Sequence, residues 1–293
     1  MAKSATLEKI ISALQSTRAP ANISWELRRA GMEAMQQRLT IPDDVTCEPA
    51  DANGVAVEWI RAAGASDDRI VFYLHGGGYT IGSITTHRFL MQAIGRASNA
   101  TVLGVDYRLA PEDPFPAALD DSIVAWHWLL DQGVDPLQCV IAGDSAGGGL
   151  TLATLLRLRD ENGKLPAAGV CLSPWTNLDD ALRAQTRNND PMVQSEGLRA
   201  MAQAYMGEQD PKDPFISPAF ADPAGLPPLL IQVGTAEHLL QDSVDFDAKA
   251  RAAGVDVTLE EWEDMIHVFQ FFPALEEANQ AIAKIGRFVQ SRT

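Results

Sequence analysis

The chain has 293 residues, 39 of them acidic and 23 basic, which gives a formal net charge of −16. That balance argues against a nucleic-acid backbone or an anionic membrane surface as the main partner, since both would repel it. With 46% hydrophobic residues the sequence can fill a sizeable core, yet no apolar stretch approaches the ~20 residues a membrane helix needs.

The N-terminus lacks a basic start followed by an apolar core, so a cytoplasmic protein is expected. Residues 4–38 carry two helical patterns, Leu7-Ile10-Ile11-Leu14 and Trp25-Leu27-Met32-Met35-Leu39, joined through Pro20. Between residues 46 and 62 the period shortens to two, with Val55, Val57 and Trp59 alternating with smaller or polar residues, as in antiparallel strands with one buried face. The run Ile70 to Leu74 is apolar throughout and reads as a central strand. Similar runs recur at Val102–Val105, Cys139–Ile141, Ala168–Leu172 and Leu229–Val233, each separated by a helix-length segment. That alternation predicts an α/β fold with a mostly parallel sheet and helices on both faces.

The stretch from Leu178 to Phe215 breaks the rhythm, being polar around Arg183 to Asp190 and helical from Pro191 to Met206. We expect a single domain over residues 1–293 in which residues 1–45 and 178–215 form a helical cap over the sheet's C-terminal edge. The last strand, Val255 to Trp262, should lie at a sheet edge, where it could pair with its copy in a homodimer. Cys47, Cys139 and Cys171 are odd in number and scattered, which predicts buried thiols rather than a disulfide framework; no cluster has metal-ligand spacing.

The segment Gly143-Asp144-Ser145-Ala146-Gly147 falls between an apolar strand run and a leucine-rich helical pattern, Leu150 to Leu158. Small residues on both sides let the backbone double back so sharply that the serine is strained and presented outward as a nucleophile. The loop after Leu74 reads His75-Gly76-Gly77-Gly78-Tyr79. Three glycines there let backbone N–H groups converge on one point, which suits the oxyanion of acyl transfer; neither P-loop nor dinucleotide-fold spacing fits. Of five histidines, His75 belongs to the glycine loop, His87 and His127 lie in helical patterns, and His238 begins a helix. His267 instead follows the last strand at the edge where open α/β sheets collect their sites, so it is the candidate base. Two carboxylates are open as its orienting acid: Glu237, in the loop three residues past Gly234, is preferred over Asp242, whose place one helical turn on suits a cap or a solvated face. Asp144 reads as a structural hydrogen-bonding group, because adjacent residues on so sharp a turn point apart.

Together with Tyr107-Arg108-Leu109-Ala110-Pro111-Glu112, Phe115-Pro116-Ala117-Ala118, Ser173-Pro174-Trp175 and Met265-Ile266-His267, these pieces make the chain resemble the hormone-sensitive-lipase-like carboxylesterases of the α/β-hydrolases. The resemblance implies an eight-stranded, mostly parallel sheet with a helical cap. It implies Ser145 as nucleophile, His267 as base, and an oxyanion hole from the N–H groups of Gly77, Gly78 and Ala146. Short- to medium-chain acyl esters are the implied substrates, with no cofactor. Two departures stand out: many relatives have an aspartate where Glu237 stands, and Val268 occupies a position where glycine is common. Amide or formamide hydrolysis on the same fold is the alternative, followed by a non-catalytic small-ligand receptor, which would predict a broken triad.

Overall fold

The computed structural model describes residues 4–16, 23–36, 39–179 and 190–293. The link through Pro20 and most of the polar stretch beginning near Arg183 lie outside the described residues. The strands are β1 (Val45–Ala52), β2 (Val55–Ala62), β3 (Ser66–Leu74), β4 (Ala100–Asp106), β5 (Cys139–Asp144), β6 (Ala168–Leu172), β7 (Leu229–Gly234) and β8 (Val257–Trp262). They form one sheet in the order β1-β2-β4-β3-β5-β6-β7-β8. The first two strands run antiparallel to their neighbours, while β4-β3-β5-β6-β7-β8 are all parallel. The period-two signal between residues 46 and 62 is thus the β1–β2 hairpin, and the uniformly apolar runs are the strands covered on both faces.

The helices are α1 (Ala5–Ser16), α2 (Trp25–Gln36), α3 (Ile84–Ser98), α4 (Ala117–Asp131), α5 (Ala146–Asp160), α6 (Ser195–Met206), α7 (Leu240–Ala252) and α8 (Glu276–Arg292). Alternation along β3 shows how the layers divide. Phe72 and Leu74 join a core with Trp126 and Leu129 of α4 and the leucines of α5. Val71 and Tyr73 face the other way, towards Leu90 and Ile94 of α3 and Ile282, Ile285 and Val289 of α8. Burying one such aliphatic side chain stabilises the fold by roughly 1.5–3 kcal/mol, so a strand used on both faces is stabilised from both layers. Trp126 meets Phe72 edge to face at 5.7 Å and 89°, filling the α4 side.

A third cluster joins Leu7 of α1 to Met265, Ile266 and Phe269 around the loop after β8. The N-terminal helix thereby packs against the segment that carries His267. Met201 of α6 lies over the glycine loop after β3, where a Cβ at Gly78 would stand 2.2 Å from its Sδ. Among the described residues no helix is long and apolar enough to cross a membrane. The thiols of Cys47, Cys139 and Cys171 are free, and the latter two are buried.

Candidate active site

The serine sits where β5 turns into α5. Its backbone has φ 53° and ψ −120°, a left-handed conformation that costs an ordinary residue about 1–3 kcal/mol. Flanking glycines make the turn possible: a Cβ at Gly147 would lie 2.0 Å from the Leu74 carbonyl oxygen, and one at Gly143 2.3 Å from that of Gly147. Backbone hydrogen bonds then hold the strained residue. Ser145 donates its N–H to Leu172 at 2.8 Å, and its carbonyl accepts from Trp175 at 2.9 Å and Gly149 at 3.1 Å.

Ser145 Oγ is 2.9 Å from His267 Nε2, and His267 Nδ1 is 2.8 Å from Glu237 Oε2. The chain therefore brings the three residues into one line, drawn from the ends of β5, β7 and β8. Asp242, the other acid considered, lies elsewhere. It is buried rather than solvated, and its Oδ2 accepts the N–H groups of Thr176 at 2.8 Å and Asn177 at 2.9 Å, fixing the loop after β6. His238 also departs from expectation: α7 begins only at Leu240, so His238 belongs to the turn before it.

Burial pulls the His267 imidazole towards neutrality, but its hydrogen bond to Glu237 and the charges of Glu237, Asp190 and Asp144 outweigh that, so its pKa is raised above the ordinary 6.5. The other oxygen of Glu237 accepts from Gly234 N at 2.6 Å and from Ser173 Oγ at 2.7 Å. Ser173 Oγ in turn accepts from Val268 N at 3.2 Å. Val268 has φ 45°, which explains why glycine suits this position: a β-branched residue is strained there. Ser173 directly follows β6 within the Ser173-Pro174-Trp175 motif, and that place at a strand's C-terminal end is the one sequence signal for its role.

The glycine loop is tied to the same turn, Gly76 donating its N–H to Asp144 Oδ1 beside Ser145. Gly77 and Gly78 have φ 120° and 61°, and their N–H groups have no protein acceptor among the described residues. Ala146 is the first residue of α5, where an N–H has no partner within the helix. Behind the loop, Asp144 Oδ1 accepts from Tyr73 Oη at 2.8 Å and Gly76 N at 3.1 Å, and His87 Nε2 lies 3.4 Å from Oδ2. Burial pushes the Asp144 carboxyl up, but the neighbouring His87 and the hydrogen bonds from His87 and Tyr73 hold it below the usual carboxylate value. His75 stacks on Tyr107 at 4.2 Å, and burial draws its pKa down to about 3. The Tyr107 block braces this loop: Tyr107 Oη donates to the His75 carbonyl at 2.6 Å, and Ala110 N to that of Tyr79 at 2.9 Å. His127, on α4, is exposed and apart from the site. Among the described residues no group of three or more His, Cys, Asp or Glu could hold a metal ion.

The chain matches the alpha/beta hydrolase fold family over residues 71–271. It is 45% identical over 239 residues to an acetyl-hydrolase of Streptomyces hygroscopicus, covering 80% of each chain. Among solved structures it is similar to an esterase from the bacterial hormone-sensitive lipase family, with a TM-score of 0.95 and 46% identity over 100% of this chain and 99% of that one. It is also similar to EstE5 soaked with p-nitrophenyl butyrate, with a TM-score of 0.93 and 44% identity over 99% of each chain. The chain belongs to the α/β-hydrolase family. Within that family it is a member of the hormone-sensitive-lipase-like group of carboxylic ester hydrolases.

Proposed function

We propose that this protein is a serine carboxylesterase that hydrolyses short- to medium-chain acyl esters through an acyl-enzyme on Ser145. The observation that carries the reading is the continuous hydrogen-bonded line from Ser145 Oγ through His267 to Glu237, with spacings of 2.9 and 2.8 Å. Ser145 Oγ attacks the ester carbonyl carbon while His267 Nε2 takes its proton. Glu237 holds the imidazole in the tautomer that leaves Nε2 free and offsets the charge that forms. The oxyanion is received by the N–H groups of Gly77, Gly78 and Ala146. As the tetrahedral intermediate collapses, the C–O bond to the alcohol breaks and His267 returns the proton to the departing oxygen. Water, deprotonated by the same imidazole, then attacks the acyl-enzyme and releases the acid. No cofactor enters this scheme.

In this reading the sheet and its helices form one domain, with residues 1–45 and 178–215 as cap elements that bound the acyl pocket. Met201, lying against Gly78, supports a pocket of limited depth. The butyrate ester soaked into the similar EstE5 structure is in keeping with short chains. The outer edge of β8, at the end of the sheet, supports a homodimer formed by strand pairing, which light scattering at micromolar concentration checks.

The test is hydrolysis of p-nitrophenyl esters from acetate to laurate by the wild type and Ser145→Ala, beside the matching anilides. Turnover that peaks at short esters and collapses in Ser145→Ala is the expected result. Preference for anilides would move the reading to amide hydrolysis. A folded wild type without turnover of either series would leave a ligand-binding pocket.

A further inference from the structure

Asp190 reaches the site from the insertion rather than from the sheet, and it is 2% exposed. Its Oδ1 accepts the N–H groups of Met192 at 2.8 Å and Val193 at 2.9 Å, which fixes the chain where it leads into α6. Its Oδ2 accepts the N–H of His238 at 2.9 Å. Because His238 directly follows Glu237, one carboxylate ties the approach to α6 to the loop that carries the acid.

Neighbouring turns show what a purely local cap looks like here. Asp210 accepts from Lys212 N, and Asp222 from Ala224 N, each with one oxygen and each on an exposed residue. Asp190 is buried and uses both oxygens, one of them 48 residues away in sequence. Withdrawing a carboxylate from water is costly unless its lone pairs are satisfied, so three backbone donors at this point define a built site for charge.

We propose that Asp190 is a positioning residue: a carboxylate supplied by the insertion that holds the Glu237 loop by the His238 N–H and so keeps the His267 imidazole aimed at Ser145. The proposal rests on the serine-hydrolase reading above. Three negative groups surround the imidazole: Glu237 from the loop after β7, Asp190 from the insertion and Asp144 from the end of β5. Buried His238 adjoins Glu237 in the chain, and Ser145 faces Nε2. Of the three carboxylates Glu237 bonds the ring directly and Asp144 bonds the glycine loop. Asp190 bonds the backbone beside Glu237, so its removal both loosens the acid and takes away a charge that favours imidazolium.

The test uses the full-length wild type, Asp190→Asn and Asp190→Ser. Asparagine keeps an oxygen for Met192 and Val193 but turns its NH2 group, a donor, towards the His238 N–H. Serine retains a local capping oxygen and loses the reach. The first readout, made without substrate, is the NMR titration of the His267 imidazole, assigned by its absence in His267→Ala. Expected is a midpoint about half a pH unit lower in both variants. The second is p-nitrophenyl butyrate kinetics, where kcat should fall roughly tenfold with KM changed less than about threefold, while melting temperatures stay within a few degrees.

Unchanged titration and kcat in folded variants would overturn the proposal. So would variants that lose thermal stability while their folded fraction keeps the wild-type midpoint and kcat, or that fail to fold in both forms, because Asp190 would then be a fold anchor only. Wild-type turnover and its loss in Ser145→Ala report on the esterase reading; the substrate-free titration reports on Asp190.

Discussion

The two halves of the candidate site are held in different ways. On the side of β3 and β5, backbone does the positioning: Ser145 is fixed by main-chain bonds to Leu172, Trp175 and Gly149, and the glycines around it admit other backbone at distances where no Cβ fits. On the side of β6, β7 and β8, side chains do it: Glu237 and His267 are aligned through Ser173, and Asp190 reaches the adjoining backbone from the insertion. The first half is stiff because its geometry is enforced by excluded volume. The second depends on hydrogen bonds that can be removed one at a time, so graded losses of activity should come from that side.

The largest effect should fall on the backbone half. In Gly147→Ala the new Cβ meets the Leu74 carbonyl oxygen at 2.0 Å, with the His75 carbonyl at 2.5 Å, and neither can retreat without shifting β3. We expect about 4 kcal/mol or more of destabilisation, seen as little folded protein or a collapsed thermal transition. A variant melting close to the wild type would show that the turn is softer than the packing implies.

On the side-chain half, among the groups that support the base, the largest loss should come from Glu237→Gln, which keeps the shape but offers the imidazole a neutral amide. Catalysis should fall roughly 10³–10⁴-fold in kcat with the fold intact. The wild-type pH profile sharpens the same point. The base must be neutral to take the Ser145 proton, and its pKa is raised above 6.5, so kcat/KM should climb with pH through a midpoint above 6.5. A midpoint at or below 6.5 would mean that burial outweighs the Glu237 bond.

This division also marks what was legible in the sequence. The glycine loop and the Gly143–Gly147 turn could be read because steric demands on the backbone leave glycines at fixed local spacing. The sheet was readable for a similar reason: strands covered on both faces are apolar throughout, and the β1–β2 hairpin alternates. Glu237 could be favoured over Asp242 from loop position alone. Ser173 and Asp190 carry no such local signal, since Ser173 acts through hydrogen bonds to Glu237 and Val268, 64 and 95 positions away, and Asp190 through one to His238, 48 positions away, and no local pattern records such partners. Asp242 reads locally as a solvated or capping residue for the same reason, whereas it is buried and its partners are the N–H groups after β6.

Ser173→Ala should fall between the extremes. It removes the hydroxyl that donates to Glu237 Oε1 and accepts from Val268 N, leaving Gly234 N as the remaining partner of that oxygen. We expect kcat to drop about 10- to 100-fold with KM little changed, measured on p-nitrophenyl butyrate. A loss under twofold would show that the Gly234 bond alone aligns the acid.

The smallest catalytic effect should belong to Asp242→Asn. Its Oδ2 accepts two N–H groups, from Thr176 and Asn177, and an amide oxygen can retain both while its NH2 group replaces an oxygen elsewhere in the turn. Charge-assisted bonds become neutral ones, which should cost about 1–3 kcal/mol in stability. Because none of these bonds reaches His267 or Glu237, kcat should stay within about threefold of wild type. Placing Asp242→Asn beside Glu237→Gln therefore separates a carboxylate that holds a loop from one that holds the base: a large kcat loss in Asp242→Asn with an unchanged melting temperature would show that Asp242, and not Glu237, serves as the acid.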